Sequence, residues 1–137
     1  MSPEAHDAAH PAALFVYGTL MPGRLRWPLL EPFATGHQPA GVAGRLFHSG
    51  QGWPVATLDD HTVATVVPGI LVAVDRQRLE ACLELIDDVE DTATDELRRV
   101  CVVTTAGDAA WAYHFTRPVD GLKAIERWDV VDRADER

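Results

Sequence analysis

Two stretches of this chain hold residue types that could do chemistry. The first is Tyr17-Gly18-Thr19-Leu20-Met21-Pro22-Gly23. A glycine-rich turn directly after an apolar strand can aim consecutive backbone N–H groups at a carboxylate or an oxyanion. Gly18 lets the chain approach a ligand closely, and Tyr17 and Thr19 bring hydroxyl donors. The same residues also suit an ordinary strand-ending turn. No Gly-Lys-Ser/Thr sequence follows, so the turn is not a P-loop, and the glycine spacing does not match a dinucleotide fingerprint.

The second stretch is Asp87-Asp88-Val89-Glu90-Asp91. Carboxylates at a helix C-terminus oppose the helix dipole, and clustered like charges raise one another's pKa. Local stability does not favour such a sequence. It makes either a solvated acidic helix end or an acid–base carboxyl of raised pKa. The six histidines are scattered and none has helical ligand spacing with the cluster, so no metal site is assigned. Arg98 and Arg99 follow, and as strand neighbours they point opposite ways, so one can pair with the cluster. Ser2, Ser49, Cys82 and Cys101 lie in no nucleophile motif, which leaves no covalent catalysis. His114 suits a structural role. Trp53, Trp111 and Tyr113 suit a core or an aromatic pocket wall.

The elements that must hold these residues follow from pattern. Residues 12–17 form an apolar, aromatic and β-branched run that predicts a buried strand. Residues 24–30 predict a helical turn or two, limited by Pro28. Glycine and proline then punctuate the chain, and strands are expected at 40–48, 54–58, 61–67 and 69–74, with Asp59-Asp60 as a hairpin turn. Asp75 can cap a helix. Leu79, Cys82, Leu83, Ile86 and Val89 make its apolar stripe, and it ends near Glu90. Strands at 97–105 and 109–116 flank a turn at 106–108, and 118–128 predict a short helix or an extended cover. The order gives a mixed α+β fold, with a partly closed sheet packed on one main helix.

Composition narrows the function. The chain has 137 residues, enough for one domain, with a polar N-terminal tail at 1–11, a folded body at 12–128 and a polar C-terminal tail at 129–137. Lys plus Arg number 12 and Asp plus Glu 21, for a formal net charge of −9. That balance disfavours nucleic acid and anionic membranes as partners. An anionic substrate would need a local positive site. There is no apolar run of membrane-spanning length and no secretion signal at the start. Cys82 and Cys101 both suit small buried positions without a disulfide framework, which fits a reducing cytoplasm.

Taken together, the two stretches resemble the γ-glutamylcyclotransferase-like family, which includes AIG2-like proteins. The resemblance is carried by Val16-Tyr17-Gly18-Thr19-Leu20, Gly44-Arg45-Leu46-Phe47, Trp53-Pro54-Val55-Ala56, Pro68-Gly69-Ile70-Leu71, Leu85-Ile86-Asp87-Asp88-Val89-Glu90 with Arg98-Arg99-Val100, and Trp111-Ala112-Tyr113. It spans about residues 13–116. It implies a compact, barrel-like mixed sheet and a small-molecule γ-glutamyl substrate that is cyclised to 5-oxoproline with release of an amine or amino acid. It implies Glu90 as the acid–base residue, Tyr17, Gly18, Thr19 and Leu20 as substrate-binding residues, and no cofactor. The family usually has Gly where Asp91 stands and often Tyr where Leu97 stands. A catalytically idle metabolite-binding member and an interaction domain are the alternative functions. A homodimer remains open.

Overall fold

The computed structural model describes residues 11–50, 53–90 and 96–126. The expected tails, Asp91 and the segment after it, and Trp128 lie outside the described residues. Strand β1 (Ala13–Val16) leads through the glycine-rich turn into a four-residue helix, α1 (Trp27–Leu30), and a 3-10 turn (Glu31–Phe33). Strands β2 (Ala34–His48), β3 (Pro54–Leu58) and β4 (Val66–Val74) follow, then a 3-10 turn (Arg76–Arg78) and the main helix α2 (Leu79–Val89). Strands β5 (Leu97–Val103), β6 (Ala109–Phe115) and the short β7 (Lys123–Ile125) complete the described chain.

The sheet runs β3-β2-β4-β1-β6-β5, with β7 paired to β2. It is antiparallel except where β1 lies parallel to β6, at Leu14 beside Trp111. The far edge of β3 curls back to β6, where the Leu58 N–H donates to His114 Nδ1 at 3.0 Å. The result is the expected mixed α+β fold with a nearly closed, barrel-like sheet.

Side-chain alternation along β1 builds both cores. Leu14 and Val16 face Val72, Val74, Cys82, Leu83 and Ile86, beneath α2. Phe15 and Tyr17 face Val42, Leu46, Ala56, Leu58, Val67, Val102, Ala110 and Ala112, inside the barrel. Ala56, Ala110 and Ala112 are fully buried and leave room for the two aromatic rings, whose centroids are 6.3 Å apart. Helix α2 follows its sequence pattern. Cys82, Leu83 and Ile86 form the buried stripe. The expected cap falls one turn earlier: the Asp75 carboxylate accepts from the Gln77 N–H at 3.0 Å and caps the 3-10 turn, while α2 itself starts after Arg78 without a side-chain cap.

Four expectations are corrected. Of the predicted strands at 61–67 and 69–74, residues 61–65 are turn, bend and coil, and Val66–Val74 is one continuous strand, β4, which runs through Pro68 and Gly69. Pro68 is solvent-exposed, and Gly69 serves a close approach of β4 to β1 rather than a chain break. Strand β2 begins at Ala34 rather than at residue 40, passing Gly36 and Pro39 with a bulge between Ala34 and Gly36. Asp59-Asp60 is a turn with a positive φ at Asp59, but it makes no hairpin, because β3 and β4 both flank β2. Cys101 is exposed, on the face of β5 opposite the buried Val102. In the last segment, Lys123–Ile125 pairs as an extended strand over Leu46–His48.

A side chain at Gly69 has no space. A Cβ there would lie 2.3 Å from the Val16 carbonyl oxygen and 2.9 Å from the Phe15 ring. At Gly36 a Cβ would meet nothing within 4 Å. Gly69→Ala should therefore cost about 1–3 kcal/mol of stability through overpacking, and Gly36→Ala should change it by less than about 0.5 kcal/mol. Urea-unfolding midpoints of the two variants check this contrast.

Candidate active site

Strand β1 ends in the turn that the sequence singled out. The Gly18 carbonyl accepts from the Met21 N–H at 3.0 Å, and the Thr19 carbonyl accepts from the Arg26 N–H at 2.8 Å. The carbonyls are thus used inside the turn. The N–H groups of Gly18, Thr19 and Leu20 meet no acceptor among the described residues. Gly18 packs on the ring of Pro54, at the start of β3, where an added Cβ would lie 2.6 Å from a ring carbon. Only glycine allows that approach.

The turn borders a cavity of about 330 Å³, a volume suited to a small metabolite. Tyr17, Gly18, Thr19, Leu20 and Glu90 all line it. The four turn residues and Glu90, seventy positions beyond Leu20 in sequence, therefore share one space. Arg26, Trp53, Pro54, Val89, Glu96, Leu97 and Tyr113 complete most of the wall. Trp53 stands partly in solvent.

Glu90 caps the C-terminus of α2, its N–H donating to the Ile86 carbonyl at 2.8 Å. Burial pushes its carboxyl above the ordinary carboxylate value, and the positive charge of Arg26 partly offsets that rise. The cause differs from the expected one. Mutual repulsion among the acidic residues is not what shifts Glu90; loss of water is.

Asp87, one turn earlier, is held by two partners. Tyr113 Oη donates to Asp87 Oδ1 at 2.7 Å, and Arg99 Nη1 lies 3.3 Å from Asp87 Oδ2. The Arg99 guanidinium also sits 5.0 Å from the centre of the Trp111 ring. Arg99 is thus the member of the arginine pair that meets the acidic helix end. These contacts tie the last turn of α2 to β5 and β6, and so set where Glu90 stands.

Tyr17 is fixed just as firmly. Its hydroxyl donates to the Tyr113 carbonyl at 2.6 Å, and burial drives its phenol far above the usual range. The hydroxyl expected as a ligand donor is already committed to that carbonyl, although Tyr17 lines the cavity. His114 takes the structural role, and burial, with Arg98 nearby, lowers its pKa. No group of three or more histidine, cysteine or carboxylate residues suited to a metal occurs among the described residues. No helix among them is long and apolar enough to cross a membrane.

Sequence reasoning missed Arg26. It sits in the turn leading to α1, and its Nη1 donates to the Val89 carbonyl at 3.3 Å, beside Glu90. Nothing in its spacing marks it. The one available signal was the argument that a chain of net charge −9 needs a local cation to hold an anionic ligand.

The chain belongs to the gamma-glutamyl cyclotransferase, AIG2-like family, whose model matches residues 14–130. No curated protein matches it. Among solved structures, it is similar to an uncharacterized protein from Pyrococcus horikoshii, with 21% identity, a TM-score of 0.59, and coverage of 84% of this chain and 86% of that one. YkqA from Bacillus subtilis is 22% identical with a TM-score of 0.63, over 85% of this chain and 39% of that one. Protein ytfP from Escherichia coli is 29% identical with a TM-score of 0.51, over 89% of this chain and 98% of that one.

Tyr113→Phe removes the hydroxyl that holds Asp87 at the end of α2. A hydrogen bond to a charged acceptor contributes about 1.5–3 kcal/mol, and the partial exposure of Asp87 places this one near the lower figure. The variant should fold, lose about 1–2 kcal/mol in urea unfolding, and exchange the amide hydrogens of residues 86–90 faster than the wild type.

Proposed function

We propose that this family member cyclises a γ-glutamyl group to 5-oxoproline with release of an amine or amino acid, with Glu90 as general acid–base. The observation that carries the proposal is the carboxyl of Glu90, raised by burial, on the wall of the cavity that the Gly18–Leu20 turn also borders. The family description supports the reaction class. The cavity supports a small substrate over a macromolecular one.

In this reaction the α-amine of the γ-glutamyl group attacks its own γ-carbonyl carbon. A C–N bond forms in the new ring and the old amide C–N bond breaks. Both reacting groups belong to one molecule, so the protein's task is to hold the chain in its attack geometry, which can supply on the order of several kcal/mol. Glu90 takes a proton from the α-ammonium and delivers one to the leaving nitrogen. The N–H groups of Gly18, Thr19 and Leu20 are the candidates to stabilise the charge developing on the carbonyl oxygen. Trp53 and Glu96 also line the cavity, and Trp53 is partly exposed, so a leaving group can extend past it toward solvent. The chemistry needs no cofactor.

A raised pKa suits Glu90 to this work, since a better base is closer in strength to the group it deprotonates. It also has a consequence for stability. The folded state holds the Glu90 proton more tightly than the unfolded chain, where the value is near the ordinary 4.5. The stability this confers is full below that value and is lost as pH rises through the higher folded-state value.

Glu90→Gln should therefore lower kcat by about 10²–10⁴-fold on γ-glutamyl dipeptides or amines, measured as 5-oxoproline released. It should unfold at a higher temperature than the wild type at pH 8 and at nearly the same temperature at pH 4. The acid limb of the wild-type kcat/KM profile should fall above the ordinary carboxylate range. Near-normal turnover by Glu90→Gln would remove Glu90 from the reaction.

A further inference from the structure

Arg26 is the one cation among the described residues that line the cavity. It is half-buried, and its backbone is fixed at both ends. Its N–H donates to the Thr19 carbonyl at 2.8 Å, and its own carbonyl accepts from the Leu29 N–H at 3.0 Å. The guanidinium is therefore delivered to the cavity by the same turn that presents the free N–H groups. Its recorded contact, to the Val89 carbonyl, uses Nη1 at a long 3.3 Å. A guanidinium has five N–H donors in a planar fork. Glu90 feels the charge of Arg26, yet neither is held in an ion pair among the described residues. A positive and a negative group thus stand on one cavity wall, near enough to interact and not closed on each other.

We propose that Arg26 binds the α-carboxylate of the γ-glutamyl group, so that Arg26 and Glu90 together recognise a zwitterionic amino-acid head, carboxylate to Arg26 and ammonium to Glu90. The inference rests on the function proposed above and adds a specificity-determining residue to it. An α-amino acid carries both charges on one carbon, which matches two opposite charges on one small cavity. The assignment also divides the work of the site. With the carboxylate on Arg26, the N–H groups of Gly18 to Leu20 remain for the γ-carbonyl oxygen, whose charge grows during attack. In a chain of net charge −9, a guanidinium in the cavity gives an anionic head a local positive site.

The test needs no turnover. The product, 5-oxo-L-proline, keeps the carboxylate, and 5-oxo-L-prolinamide lacks its charge. Both are titrated calorimetrically into wild type, Arg26→Gln and Arg26→Lys. The wild type should bind the acid at least about tenfold more tightly than the amide, as expected for one charge-assisted contact. Arg26→Gln should bind the two alike. Arg26→Lys, which keeps the charge but not the fork, should show a smaller preference for the acid than wild type, and it decides the matter if the Gln variant does not fold. No preference for the acid in the wild type, or an undiminished preference in either variant, overturns the inference. Release of 5-oxoproline from γ-glutamyl-alanine is followed in the same preparations. A wild type that selects the acid through Arg26 but releases no 5-oxoproline upholds this binding role and overturns the catalytic reading instead.

Discussion

Everything in this molecule is arranged around a four-residue strand that must be buried on both faces. Leu14 and Val16 lie under the helix and Phe15 and Tyr17 fill the barrel. Burying both faces of one strand requires a sheet that wraps round one side of it and a helix that covers the other. Residues on neither face can absorb a shift of β1 without opening one of the two cores. The chain leaves this strand at a fixed point, and that point is Gly18. The start of the glycine turn is accordingly buried and packed against Pro54, although it lies at the end of a strand.

The second half of the site is placed by polar contacts rather than by packing alone. Tyr113 spans the two halves, since its carbonyl accepts from Tyr17 and its hydroxyl donates to Asp87. One residue of β6 thus joins the end of β1 to the end of α2. Of the acidic residues there, Asp87 is absorbed into structure, while Glu90 is left to bear the cost of lost hydration. The separation of roles between two carboxyl groups three residues apart comes from their surroundings and not from their chemistry.

Most of the architecture was legible in the chain. The apolar run at 12–17 and the stripe from Leu79 to Ile86 gave their elements directly, because local hydrophobic period follows burial. The errors fell where glycine and proline were read as breaks. Gly69 and Pro68 sit inside a strand, since a close strand approach and an exposed strand position ask for the same residues that turns do. Cys101 was misplaced because a residue's type does not reveal which face of its strand meets solvent.

The sequence by itself determined most of the elements, the family pattern and the two reactive stretches, because these depend on neighbours along the chain. It did not contain the cavity. That Glu90 is raised by burial rather than by repulsion, that the Tyr17 hydroxyl is taken by a backbone carbonyl, and that Arg26 stands beside Glu90 were decided by the tertiary structure alone. Desolvation and charge proximity act through space, and the residues that produce them here lie as far apart in the chain as Arg26 and Val89.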